Sequence, residues 1–170
     1  MTEVEIEKLN QACTERRDKA IIYFLLYTGC RVSEMTELNR EDLDLEKLQC
    51  IVHGKGNKER KVYLKQVAGM LIKEYLETRT DDNPALFIGR CGKRLQQNGV
   101  RVMLKRIAKL AGVEHVHPHK FRRTYATDLH RHGAPVQNIS SLLGHDKLDT
   151  TMKYVFIDDT DNENAYRRFA

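Results

Sequence analysis

No apolar run in this sequence approaches the roughly 20 residues that a membrane-spanning helix needs; the longest, Ala20 to Tyr27, stops far short. The opening Thr2-Glu3-Val4-Glu5 is acidic, where the first stretch of a secretory signal would be basic. A cytoplasmic protein is therefore expected. The four cysteines, Cys13, Cys30, Cys50 and Cys91, are scattered with no C-x-x-C pair. That excludes the usual zinc and redox motifs and leaves reduced, mainly structural thiols. No other metal-ligand set is visible, so neither metal nor cofactor is expected. Internal repeats and low-complexity linkers are missing as well, which excludes a solenoid and a tethered pair of domains.

What remains is one folding unit. A chain of 170 residues with 41% hydrophobic and 31% charged residues has enough apolar matter for one sizeable core and little for a second. The net charge is +5 and the sequence pI about 9.0, a weak pointer to an anionic partner such as nucleic acid. Distribution says more than the sum. From Arg90 to His132 there are eleven Lys or Arg against two acids, Glu114 and Asp128, whereas Glu34 to Glu46 holds six acids against Arg40 alone. One face should be strongly positive, as a surface that tracks phosphates must be.

The local pattern predicts a mainly α domain with one small antiparallel β-hairpin. Thr2 with Glu5 three residues on is a capping box that opens a helix to about Cys13. Arg17 to Thr28 is apolar on most faces, so it belongs in the core, and Gly29 ends it. A short helix follows over Val32 to Leu38, then a polar turn, Asn39 to Asp42. The strand-like runs Leu48–His53 and Arg60–Leu64 flank Gly54-Lys55-Gly56-Asn57-Lys58, a hairpin signature with Lys55 at its tip. Helices are then expected over Gln66–Thr78, about Val100–Leu110, from Pro118 to near Gly133, and from Pro135 to Gly144. Further helical stretches should hold Tyr154 and span Asp161 to Phe169.

Singly, the polar residues of interest are unremarkable. Arg31 follows a helix terminus, where an arginine commonly bonds carbonyls. His119 and Arg122 share a helix face at i, i+3 but read as ordinary surface, His145 begins a loop, and Tyr154 suits a half-buried core position. Their order is another matter. Thr28-Gly29-Cys30-Arg31-Val32-Ser33-Glu34, Gly54-Lys55-Gly56, His119-Lys120-Phe121-Arg122, Leu142-Leu143-Gly144-His145 and then Tyr154 closely resemble the successive boxes of the tyrosine recombinase (phage integrase) family. The resemblance runs through nearly the whole chain, and it implies that residues 1–170 are that family's catalytic domain, with 157–170 as a C-terminal tail.

The chemistry agrees with the resemblance. Phosphodiester cleavage passes through a state with extra negative charge on the non-bridging oxygens, which a metal-free site must neutralise with its own cations. Arg31 and Arg122 suit that clamp, since a guanidinium is permanently charged and its planar fork meets two oxygens at once. His119 and His145 are placed to hydrogen-bond the phosphate or move protons near neutral pH; the sequence does not divide these roles between them. Tyr154 is the expected nucleophile, its phenol attacking phosphorus and conserving the bond energy in a phosphotyrosine. The resemblance further implies a 3′-phosphate linkage, a free 5′-hydroxyl and Lys55 as the proton donor to the leaving oxygen, with Lys58 close enough to compete. Glu34 matches the acidic position of the first box, either orienting the basic groups or standing as a plain surface carboxylate.

The implied function is a site-specific DNA recombinase, or integrase, serving integration or excision of a phage or transposon in a bacterial cell, nucleoid-associated when bound. The alternatives are a catalytically idle DNA-binding accessory module and a type IB topoisomerase-like strand transferase. Lys58, Arg94, Arg101, Lys105, Lys120 and Arg123 are the expected DNA contacts. The resemblance implies a tetramer on double-stranded DNA with tail contacts between protomers, for which Tyr166 and Phe169 are the candidates, in trans or, in the free domain, in cis; the free chain is expected to be monomeric. Relatives also carry N-terminal core-binding and often arm-binding domains, so this chain is expected to be a fragment. Two departures stand out: Arg123 follows Arg122 where many relatives have His, and Val155-Phe156 follows Tyr154 where a histidine often comes two residues later.

Overall fold

The computed structural model describes residues 1–54 and 59–144. The hairpin tip with Lys55 and Lys58, the residues His145 and Tyr154, and the expected helix over Asp161 to Phe169 lie outside the described residues.

Seven α-helices and a small sheet make up the described fold: α1 (Glu3–Ala12), α2 (Arg16–Thr28), α3 (Val32–Glu37), a 3-10 turn (Arg40–Asp42), β1 (Leu43–Asp44), β2 (Gln49–His53), β3 (Glu59–Tyr63), α4 (Gln66–Glu77), α5 (Gln97–Ala111), α6 (Pro118–Arg131) and α7 (Val136–Leu143). The mainly α expectation holds. Thr2 and Glu5 form the capping box in both directions, and Gly29, Gly112 and Gly144 each end a helix in the left-handed conformation. Two boundaries differ. The basic helix α5 begins at Gln97, three residues before Val100, because its first turn lacks the apolar spacing that marks the rest. The hairpin is a three-stranded antiparallel sheet, in which Leu43 and Asp44 pair with Cys50 and Gln49. Two residues are too few for an alternation to register in sequence.

α2 is the central helix. Ala20, Ile21, Ile22, Phe24, Leu25 and Leu26 are all buried, and α2 packs on α4 along one side and α6 along another, while α1 lies on α5. Each such side chain withdrawn from water contributes about 1.5–3 kcal/mol before the entropy of ordering is set against it. Phe24 meets Phe87 edge to face at 6.0 Å, and Phe87 stacks on Tyr75 at 5.7 Å, so the extended piece after Pro84 is sealed into the core by its aromatic residue. The sheet covers one flank with Cys50, Val52 and Val62 facing inward. A second, smaller cluster of Ala126, Ile139 and Leu143 joins α6 to α7. It fixes the end of α7 against the body of the domain, where the candidate site forms. Among the described residues no helix is long and apolar enough to cross a membrane.

Candidate active site

The site begins where α2 stops. Gly29 has φ +60, and a Cβ there would lie 2.5 Å from Tyr125 Cδ1 and 2.9 Å from Leu143 Cδ2. Glycine thus supplies both the left-handed turn and the space for α6 and α7 to close over it. The chain turns at once into α3, with Arg31 as its N-cap residue. Glu34 reaches back to hold Arg31 twice: Oε2 accepts from the Arg31 backbone N–H and Oε1 from guanidinium Nη1, both at 2.8 Å. The surface-carboxylate alternative for Glu34 is excluded, since the residue is 4% exposed. Burial acts to raise its carboxyl pKa, but hydrogen bonds and charge from Arg60, with the bonds from Arg31, outweigh this and hold it below the ordinary carboxylate value.

Arg122 comes from α6, whose first helical residue is Pro118. Its guanidinium is buried and donates to the carbonyls of Gly29 (Nη1, 2.6 Å) and Leu143 (Nη2, 2.7 Å). These carbonyls close α2 and α7, where the helix dipole is negative and the acceptors lack intrahelical partners. Even so, burial and then the neighbouring charge of Arg31 push the Arg122 guanidinium down to about 10. It remains a cation at neutral pH.

A third arginine completes the arrangement. Arg60 of β3 donates through Nε to the carbonyl of Leu142 at 3.2 Å and through Nη2 to Glu34 Oε2 at 2.9 Å. Arg31 Nη2 donates to the carbonyl of Gly144 at 3.0 Å. Three successive carbonyls at the end of α7, those of Leu142, Leu143 and Gly144, are therefore each held by a different arginine: Arg60, Arg122 and Arg31. Among the described residues these three guanidiniums carry one carboxylate, that of Glu34. Counted over the described residues, the cluster has a formal charge of +2 in a half-buried setting, which favours an anion.

The other expected residues are less concentrated. His119 is exposed on the first turn of α6, one turn before Arg122. Arg101 and Lys105 on α5 and Arg123 on α6 are exposed, and Arg101 donates to Gln97 Oε1 at 3.4 Å. Lys120 bonds Glu5 Oε1 at 3.0 Å and the Glu114 carbonyl. Arg94 turns inward, donating to the carbonyls of Thr36 and Leu38 and to Asn39 Oδ1 at the end of α3. Arg60 was missed as a site residue. The signal was its register: it stands two positions before the buried Val62, on the inward face of a five-residue strand. A concavity of about 580 Å3 beside α1, α2 and α6 shares no lining residue with the cluster. It carries Lys65, Lys120, Arg123 and Arg131 against Glu3, Glu5 and Asp128, and it holds none of the three arginines gathered at the end of α7.

The domain gathers arginines from three distant segments onto one helix terminus, and proteins of one known family match it in sequence and in fold. The description "Phage integrase family" fits residues 1–161. The tyrosine recombinase XerC of Corynebacterium glutamicum is 39% identical over 144 residues, covering 83% of this chain and 47% of that protein. The crystal structure of XerA recombinase superposes with a TM-score of 0.88 at 31% identity, over 99% of this chain and 64% of that one. XerH, crystallised on a palindromic difH substrate as a post-cleavage complex, gives a TM-score of 0.80 at 28% identity, over 98% of this chain and 52% of that one. The chain belongs to the phage integrase family. It spans about half the length of the curated relatives it matches.

Proposed function

We propose that this chain is the catalytic domain of a site-specific DNA recombinase that cuts and rejoins strands through a 3′-phosphotyrosine. The observation that carries the reading is the +2 cluster in which Arg31 and Arg122 sit on adjacent carbonyls of α7. Two forks side by side match the two non-bridging oxygens of a phosphodiester and gain strength as charge builds there in the transition state. In the proposed reaction the phenol oxygen of Tyr154 forms a bond to phosphorus as the P–O5′ bond breaks, and the 5′-oxygen leaves with a proton from Lys55. Attack by a 5′-hydroxyl of another strand reverses these steps, so no ATP is consumed. Glu34 orients Arg31, while His119 and His145 bond the phosphate or relay protons.

Double-stranded DNA is the proposed partner, met by the exposed Arg101, Lys105 and Arg123 together with Lys58 and Lys120; Arg94, bound to the end of α3, serves that surface indirectly. Exchange between two duplexes calls for four such domains, and the tail over 157–170, with Tyr166 and Phe169, is the proposed contact between protomers. The relatives named above are recombinases XerC, XerA and XerH; their names support recombination without specifying a mobile-element setting. The test is covalent capture. Mixed with a pool of nicked duplexes of randomised sequence, the chain should give a DNA adduct that survives denaturation, and Tyr154→Phe should abolish it with binding intact. An adduct formed by the Phe variant would refute the nucleophile.

A further inference from the structure

Arg60 belongs to none of the motifs by which the family is recognised in this sequence, yet its position is costly. β3 alternates outward and inward, with Glu59, Lys61 and Tyr63 exposed and Val62 buried, so Arg60 occupies a place on the core-facing side. Its side chain is 14% exposed. A cation placed there by chance would be replaced at little loss by an aliphatic residue, because burying a charge costs several kcal/mol unless it is paired. Here it is paired twice, and both partners belong to the site. Arg60 Nη2 bonds Oε2 of Glu34 while Arg31 Nη1 bonds Oε1. The carboxylate is held from both sides, by Arg60 at Oε2 and by the Arg31 guanidinium at Oε1. Nε of Arg60 meanwhile bonds the Leu142 carbonyl. A Cβ on Gly144 would lie 2.9 Å from both Cδ and Nε of Arg60, so the stem of Arg60 passes directly beneath the residue that precedes His145. Arg60 also stands two residues after Lys58, at the foot of the hairpin that carries Lys55.

We propose that Arg60 is a positioning residue of the strand-transfer site, fixing Arg31 through Glu34 and the end of α7 through the Leu142 carbonyl. This rests on the recombinase reading above. Arg60 touches no reacting atom; it makes one rigid body of three parts of the site that come from α3, the hairpin and α7. A purely architectural arginine would hold β3 to α7 and nothing more, and the two roles differ in what they do to chemistry inside an already bound complex.

The experiment compares the unmodified chain with Arg60→Met, Arg60→Lys, Glu34→Gln and the Glu34→Gln/Arg60→Met double variant. Each is mixed with the same randomised pool of nicked duplexes, made once with ordinary phosphate and once with sulfur at the bridging 5′ position. The readouts are the pool's dissociation constant, the single-turnover rate of adduct formation at saturating protein, and the fraction folded by circular dichroism. Arg60→Met should slow adduct formation on the order of 10- to 100-fold, the range found when a group that orients a first contact is lost, with binding changed by less than about twofold and the folded fraction maintained. Arg60→Lys should recover part of the rate, since an ammonium reaches one of the two acceptors but not both. The double variant should be no slower than the slower single variant, as expected of residues acting through one another. Sulfur should not rescue Arg60→Met, because the defect lies at the non-bridging oxygens. The proposal is overturned if Arg60→Met keeps the full rate, if its rate falls only in step with the folded fraction, or if the double variant shows the product of the single effects. If the unmodified chain forms no adduct at all, the recombinase reading itself fails and the proposal falls with it, an outcome distinct from the other three.

Discussion

Replacing Arg122 by methionine sets two opposed effects against each other, and the structure gives both sizes. Arg122 is 3% exposed, and burial has pushed its guanidinium down from the ordinary arginine value to about 10. At about 1.4 kcal/mol per pH unit, holding this group charged in the folded state costs roughly 3 kcal/mol. The sign follows from linkage: the unfolded chain binds the proton more tightly, so the cost applies in full at every pH below about 10 and fades only as pH rises toward the ordinary arginine value. Methionine removes that cost with little change in bulk. It also strips a donor from the carbonyls of Gly29 and Leu143, a loss of about 1–3 kcal/mol for each buried acceptor. The net expectation is a loss of no more than about 3 kcal/mol, on the order of 10 °C or less in Tm for a chain of this size. Scanning calorimetry in phosphate against chloride buffers of equal ionic strength then separates structure from function. An anion bound by the clamp stabilises the unmodified chain by about 1.4 kcal/mol at ten times its dissociation constant, and Arg122→Met should lose that increment. A variant that loses 5 kcal/mol or more would show Arg122 to be a structural cap above all, and one that keeps the phosphate increment would place the anion elsewhere; either result refutes the clamp.

Gly29→Ala should destabilise the fold by about 2–4 kcal/mol in denaturant titrations, since a φ of +60 is strained for alanine and its Cβ would meet Tyr125 and Leu143 below 3 Å; a change under 1 kcal/mol would mean that α6 and α7 yield easily. Lys55→Ala should cleave ordinary nicked DNA slowly but regain speed when sulfur replaces the 5′-bridging oxygen, because a thiolate leaves without the proton that an alkoxide needs; rescue of Lys58→Ala instead would name the other lysine. Glu34, with its carboxyl held below the ordinary 4.5, contributes stability above that pH and loses it as pH falls through the lower folded value. Unfolding free energies of Glu34→Gln should therefore decline less steeply below about pH 4.5 than those of the unmodified chain, and parallel slopes would contradict the assignment.

The helices were legible because their signals are local. Thr2 with Glu5, Pro118, and the glycines 29, 112 and 144 mark termini within a few residues, and α2 announces its burial by being apolar on most faces. The arginines 31 and 122 and the acid Glu34 were legible as types at spacings. What each one bonds was not, since the carbonyls of Gly29, Leu143 and Gly144 become acceptors only when α2 and α7 end side by side. Arg60 shows the limit most plainly: in sequence it is one cation in a strand rich in them, between Glu59 and Lys61, and only the inward register of β3 with the turn at Gly144 makes it part of the site. β1 escaped for the reason that two residues carry no period. Arg94, set within the basic stretch, spends its charge on the end of α3, which no composition count foresees.

The arrangement at the end of α7 has a bearing on when the domain becomes competent. The bonds to the carbonyls of Leu142, Leu143 and Gly144 reach back 82, 21 and 113 residues along the chain, so two of the three are among the most distant closures in the fold. Contacts of such separation carry the largest loop-closure entropy and form late. A chain still emerging from the ribosome has made all three arginines before the end of α7 that gathers them, and one locally opened at α3, the sheet or α6 loses at least one of them from this terminus. Assembly of the arginine cluster is thereby coupled to completion of the whole domain, and under the proposed function a half-folded copy that meets DNA has no assembled centre.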